Sequence, residues 1–198
     1  VFIVADTTKN SDGIFLHSGS VSRGIISVGD SVNASINEER RKAVMRNHTA
    51  AHLLQAALRR VLGTHVEQAG QLVNAAEVRF DFTHFNPLTT EEIKMVELLV
   101  NDFILKSVPV TMTEMPIEEA KKLGAMMLFG EKYGDVVRVV RAGDFSTEFC
   151  GGTHVSNSGQ IGLFKNVSAT QRCMRIFLFL PLTEVHICKY PLEHICKE

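Results

Sequence analysis

The sequence has few cysteines, no long apolar run and no surplus of positive charge. Four cysteines in 198 residues are too few for a disulfide scaffold, and a reducing cytoplasm fits such a chain. The longest apolar run, Ile176-Phe177-Leu178-Phe179-Leu180, falls far short of the roughly 20 residues that span a bilayer, so no membrane partner is expected. The first residues lack the basic-then-apolar order of a signal peptide. A formal net charge of −1 argues against a domain whose own basic surface holds nucleic acid tightly. No internal repeat and no ATP-binding motif is visible.

The remainder is an ordinary globular composition, 45% hydrophobic and 22% charged, long enough to bury a real core. His48 and His52 lie in the stretch Arg46-Asn47-His48-Thr49-Ala50-Ala51-His52. Imidazoles four residues apart on a helix point within about 40° of each other, which is how a helix offers two nitrogens to one metal ion. About a hundred residues later comes Cys150-Gly151-Gly152-Thr153-His154. The glycines let the backbone turn so that thiol and imidazole close on one point. His48, His52, Cys150 and His154 together form a nitrogen/sulfur set suited to Zn2+. Residue 49 is threonine, not the glutamate of a zinc-peptidase HExxH. Thr49 is expected to point away from the ligands and to serve helix packing.

The chain order reads as α+β: two main helices packed on a largely antiparallel sheet, preceded by part of a small β-barrel. Residues 1–36 read as short strands, with a turn at Ser18-Gly19-Ser20 and a strand through Gly24–Asp30. Residues 31–36 alternate polar and apolar. Asn37 is the expected cap of a helix that ends at Gly63, with Glu38 and Glu39 in its first turn. Two strands follow within residues 65–82, joined near Asn74-Ala75-Ala76, with Arg79 and Asp81 as an outward ion pair. Thr89-Thr90-Glu91-Glu92 is a capping box opening a second helix to about Ser107. A strand from Pro109 to Glu114, a short helix after Pro116, a strand over Val136–Val140, the approach to the ligand loop and a strand over Ile161–Val167 complete the core. Residues 37–180 form this core, and residues 181–198 an atypical tail. Basic clusters at Arg40-Arg41-Lys42 and Arg59-Arg60 are open between a solvated face and a nucleic-acid contact.

Arg46–Leu54, Val66–Val73, Val78–Phe82, Gly124–Tyr133 and Gly143–His154 resemble the editing domain of alanyl-tRNA synthetases and of the free-standing editing proteins built on it. The resemblance runs from about residue 13 to about residue 168. It implies hydrolysis of the ester joining serine or glycine, the wrong amino acids, to the 3′ end of alanine tRNA. It implies tRNA as partner, with the remainder of the synthetase if the chain is a fragment, as the apolar start at Val1 suggests. It also points to Gln68 as a catalytic or substrate-binding amide. Gly151 and Gly152 would present backbone to the terminal adenosine, and Cys150 would be a ligand with a catalytic part. The family often has threonine where Ala51 stands, which bears on substrate discrimination.

The chemical need is plain. A pocket that admits alanine rejects glycine or serine by only about 1–3 kcal/mol, so a second, hydrolytic site must remove the errors. Two alternatives stay open: a free-standing deacylase acting in trans, and a catalytically inert, zinc-stabilised tRNA-binding module. After Ser168 the sequence departs from the family, and the final strand is uncertain in detail. The tail carries His186, Cys188, His194 and Cys196, a possible but disfavoured ligand group.

Overall fold

Asn10 builds the first turn of the chain. In this computed structural model, which describes residues 1–127, 133–170 and 173–179, β1 (Phe2–Lys9) and β2 (Phe15–Val21) form an antiparallel hairpin. The Asn10 side chain accepts from the backbone of Asp12 and Ile14, and Gly13 takes a left-handed φ of 83°. Such a turn needs a side-chain acceptor and a residue tolerant of positive φ, and Asn10 and Gly13 supply them.

Two expectations for this unit, Val1–Ile36, are corrected. Ser18-Gly19-Ser20 is not a turn but the middle of β2, with Gly19 opposite Val4. A Cβ on Gly19 would sit 2.0 Å from the Ile3 carbonyl oxygen, so the glycine serves close strand approach beside a bulge. Gly24–Asp30 is not a strand either. Ser27 N–H donates to the Asp30 carboxylate and Asp30 N–H to the Ser27 carbonyl, with Gly24 and Gly29 at positive φ. These local bonds make a turn that competes with strand pairing. Residues 31–36 carry no regular element.

The second unit is Asn37–Glu198. It opens with α1 (Glu38–Leu62), where the Asn37 side chain accepts from Arg40 N at 2.9 Å. Gly63, at φ 115°, ends the helix with its N–H on the Arg59 carbonyl. β3 (Gln68–Val73) and β4 (Val78–Phe82) follow as an antiparallel pair. Val78, Phe80 and Phe82 point inward and are fully buried, while Arg79 and Asp81 face outward as the expected ion pair, 2.6 Å apart. α2 (Thr90–Leu105) starts on the capping box, with Thr89 and Glu92 each bonding the other's backbone N–H.

β5 (Val110–Pro116), α3 (Ile117–Lys122), β6 (Val136–Ala142) and β7 (Ser146–Phe149) come next. After a 3₁₀ turn at Ser158–Gln160 the chain runs into β8 (Leu163–Ala169) and β9 (Cys173–Phe179). The antiparallel strands are divided between two sheets, ordered β3-β4-β9-β8 and β5-β6-β7. The final strand is therefore present, and it lies inside its sheet between β4 and β8. α1 packs on α2 and touches β3, β4 and β7, and α2 lies on β8. Leu53, Leu54 and Leu58 of α1 meet Val96 and Val100 of α2 and Phe80, Met174 and Ile176 of the sheet in one core. Each such side chain contributes about 1.5–3 kcal/mol by leaving water. Among the described residues no helix is long and apolar enough to cross a membrane. The tail residues His186, Cys188, His194 and Cys196 lie outside the described residues.

Candidate metal centre

The middle of α1 is buried on every side from Thr49 to Leu58. The His52 imidazole is held there by packing, and His48 stands half-buried just before that stretch. His48 and His52 project from one face of this segment, and the chain leaving β7 brings Cys150 and His154 to meet them. Sγ of Cys150 lies 3.5 Å from Nε2 of His48 and 3.3 Å from Nε2 of His154. The three imidazole centroids are 4.3–5.2 Å apart. One ligand atom from each of the four residues lies within 4.8 Å of all the others. Tetrahedral zinc with bonds of about 2.0–2.3 Å separates its ligands by roughly 3.3–3.6 Å. The two Cys150 distances match these separations, and a set of three nitrogens and one sulfur suits an ion of that kind.

Each imidazole also has an outer partner. His48 hydrogen-bonds the backbone of Thr153. His52 Nδ1 lies 3.5 Å from Oε2 of Glu148. His154 Nδ1 lies 3.2 Å from the hydroxyl of Thr49. A carbonyl, a carboxyl and a hydroxyl behind ligand imidazoles are what orient a metal site. Gly152 N–H points at the Cys150 sulfur, 3.4 Å away, which favours the thiolate.

Burial keeps all three imidazoles neutral. Desolvation lowers His48, lowers His52 well below its usual range and brings His154 down to about 3, helped for His154 by the neighbouring His48 and Arg138 charges. Neutral imidazole is the metal-binding form. Burial pushes Glu148 up to about 8, against the opposing hydrogen bond from Ser146. Glu148 and His52 are thus close without being an ion pair: both directions favour the uncharged forms.

The glycines act differently from the expectation. Neither Gly151 nor Gly152 has a left-handed φ. A Cβ on Gly152 would lie 2.1 Å from the His48 ring, whereas one on Gly151 would meet nothing within 4 Å. Gly152 is thus a point of close approach. Gln68 is half-buried at the start of β3, opposite Phe82 and next to a bulge. Ala51 is buried in the core. Arg59 donates to the Val66 carbonyl, and Arg60 lies over the Phe145 ring at 3.8 Å, so this basic pair is bound into the fold. Arg40, Arg41 and Lys42 are exposed.

Four participants were not legible as such. Thr49 was expected only to pack, yet it bonds the His154 imidazole of the cluster. Helix geometry held the signal, since position 49 lies only about 60° from position 52 around the axis. Glu148 was hidden in a strand, although Ser146 and Glu148 alternate with half-buried Thr147 in β7. Arg138 donates to the Gly151 carbonyl at 2.9 Å from the neighbouring strand, a pairing across strands that no local pattern shows. Gln55, one turn beyond His52, is buried with Oε1 facing no donor among the described residues.

Comparison with known proteins points to a family. Residues 137–172 match the family described as threonyl and alanyl tRNA synthetase second additional domain. The chain is 56% identical over 167 residues to alanine–tRNA ligase 1 of Lachnoclostridium phytofermentans, covering 84% of this chain and 19% of that protein. It is 55% identical over 165 residues to alanine–tRNA ligase of Acetivibrio thermocellus, covering 83% and 19%. Over 168 residues it is 52% identical to the Bacillus velezensis enzyme, covering 85% and 19%. The chain spans about a fifth of the length of these curated relatives.

Proposed function

Because this chain belongs to the second-additional-domain family in its alanine–tRNA ligase branch, we propose that it is the editing part of such an enzyme. It hydrolyses the ester that links serine or glycine to the 3′ end of alanine tRNA. The observation that carries this reading is the convergence of His48, His52, Cys150 and His154 within one buried cluster, in a chain homologous to these ligases.

His48, His52, Cys150 and His154 would hold a zinc ion, which would supply a fixed positive charge to the site and tie the 150–154 loop to α1. Four protein ligands favour an organising role for it. The other parts fall to the chain's own groups. The Gln68 amide both donates and accepts, and so can hold a serine hydroxyl. Gly151 is exposed and offers its backbone to the terminal adenosine, with Gly152 bracing the loop through its bond to Cys150. Cys150 acts through ligation. In the reaction, water oxygen bonds to the ester carbonyl carbon and the carbon–oxygen bond to the ribose breaks. The ribose oxygen takes a proton, and the amino acid leaves as its free acid. The near-neutral charge of the chain supports a division of labour, with most tRNA affinity residing in the remainder of a cytoplasmic synthetase.

The test is release of amino acid from Ser-, Gly- and Ala-charged alanine tRNA by the metal-loaded chain and by the chelator-treated chain. The loaded chain should free serine and glycine well above the buffer rate and largely spare alanine. Release of none of the three would overturn the reading in favour of an inert, zinc-stabilised tRNA-binding module.

A further inference from the structure

We infer that Thr49 is a positioning residue of the metal centre: its hydroxyl fixes His154 in the tautomer that presents Nε2 to the ion. The inference rests on the metal reading above and goes beyond it, to a residue outside the ligand set.

A threonine hydroxyl has one hydrogen to give and two lone pairs to fill. Three groups surround this one, which is 1% exposed. The Met45 carbonyl, 2.9 Å away, can only accept, so it takes the hydroxyl hydrogen. The backbone N–H of Val155, at 3.2 Å, can only donate, and it fills one lone pair. The remaining lone pair faces Nδ1 of His154 at 3.2 Å. With its only hydrogen committed, the hydroxyl can meet that nitrogen only as acceptor. Nδ1 must therefore carry the ring proton. A neutral imidazole has one such proton, so Nε2 is left with its lone pair. That nitrogen lies 3.3 Å from the Cys150 sulfur, inside the ligand cluster.

The same hydroxyl ties the two halves of the site together. Through Val155 and His154 it holds the loop, and through Met45 it is anchored in α1. Its position on the helix, between the two ligand histidines, keeps this anchor in register with them. Outer partners of this kind are worth about 10–100-fold in metal affinity.

Thr49→Val keeps the shape of the side chain and removes both the donor and the acceptor, while Thr49→Ser keeps the hydroxyl. Zinc affinity of the whole chain is measured for wild type and both variants by competition with a chromophoric chelator. Thr49→Val should bind zinc about 10–100-fold more weakly, and Thr49→Ser close to wild type. A second readout does not depend on any variant folding. In the 15N-histidine spectrum of the zinc-loaded wild type, His154 should show a protonated Nδ1 and a metal-bound Nε2. Wild-type affinity in Thr49→Val, or a His154 bound through Nδ1, overturns the inference while leaving the metal reading intact. A wild-type chain that takes up no zinc overturns both.

Discussion

The ring of His48 occupies the space where a side chain on Gly152 would begin: a Cβ there would lie 2.1 Å from Cε1 and 2.5 Å from Nδ1 of His48. The imidazole belongs to the four-residue cluster and cannot swing aside without leaving it. Gly151, the neighbouring residue, faces open space. The two glycines are therefore unequal. Gly152→Ala should cost about 1–3 kcal/mol of stability, the usual penalty for overpacking, and should weaken metal binding with it. Gly151→Ala should stay within about 0.5 kcal/mol of wild type, as surface changes do. Urea unfolding of both variants decides; equal effects would mean that the glycines serve a common turn instead.

Metal content tests the ligand set directly. The purified chain should carry about one zinc, and Cys150→Ala much less, because loss of the thiolate removes the charged ligand of four. His48→Ala is a useful companion, since it removes a ligand from the helix rather than from the loop. Both should lose metal together. A Cys150→Ala chain that keeps a full complement of zinc would place the ion elsewhere.

What could be read beforehand divides along physical lines. Asn37, Gly63 and Thr89 act on backbone groups within a few residues of themselves, so their roles are written locally, and the helix ends stand where those residues predict. The HxxxH pair is likewise local, and its meeting with Cys150 and His154 needed only the chemistry of the donors. Gly19 shows the opposite case. A glycine in a polar stretch signals a turn, but here its use is set by the Ile3 carbonyl on the partner strand. Glu148 and Arg138 acquire their roles from neighbours supplied by another element, His52 on α1 for one and Gly151 in the loop for the other. No spacing rule reaches across such pairs.

The capping box gives a prediction remote from the site. Thr89 Oγ1 accepts from Glu92 N at 3.2 Å, and the Glu92 carboxylate accepts from Thr89 N at 2.7 Å. Thr89→Ala should cost about 1 kcal/mol, seen as a lower thermal midpoint. Metal content should be unchanged, since α2 supplies no ligand. A loss of zinc in this variant would show that helix packing, not the ligand set, limits metal binding.

Glu148 predicts the pH dependence of the metal-free chain. Its carboxyl, buried behind His52, is held up at about 8 against an ordinary value of 4.5. In the folded chain it keeps its proton across that interval, while in the unfolded chain it has lost it. The folded state therefore binds more protons, and stability present below pH 4.5 is lost as pH rises towards 8. The imidazoles act in the other sense. His154, at about 3 folded against 6.5 unfolded, contributes stability that is full above pH 6.5 and falls as the medium is acidified towards 3, and His48 and His52 shift in the same direction. Glutamine at position 148 copies the neutral carboxyl, can still accept from Ser146 and cannot ionise. Above pH 6.5 the wild-type chain should lose stability with a slope approaching about 1.4 kcal/mol per pH unit, the limit for one proton. Glu148→Gln should lose less by that amount, and its acid limb should persist. Urea unfolding at pH 5, 6, 7 and 8, with chelator present throughout, measures both. Parallel curves for the two chains above pH 6.5 would mean that Glu148 is already ionised beside His52, and that the pair is a true ion pair before any metal arrives.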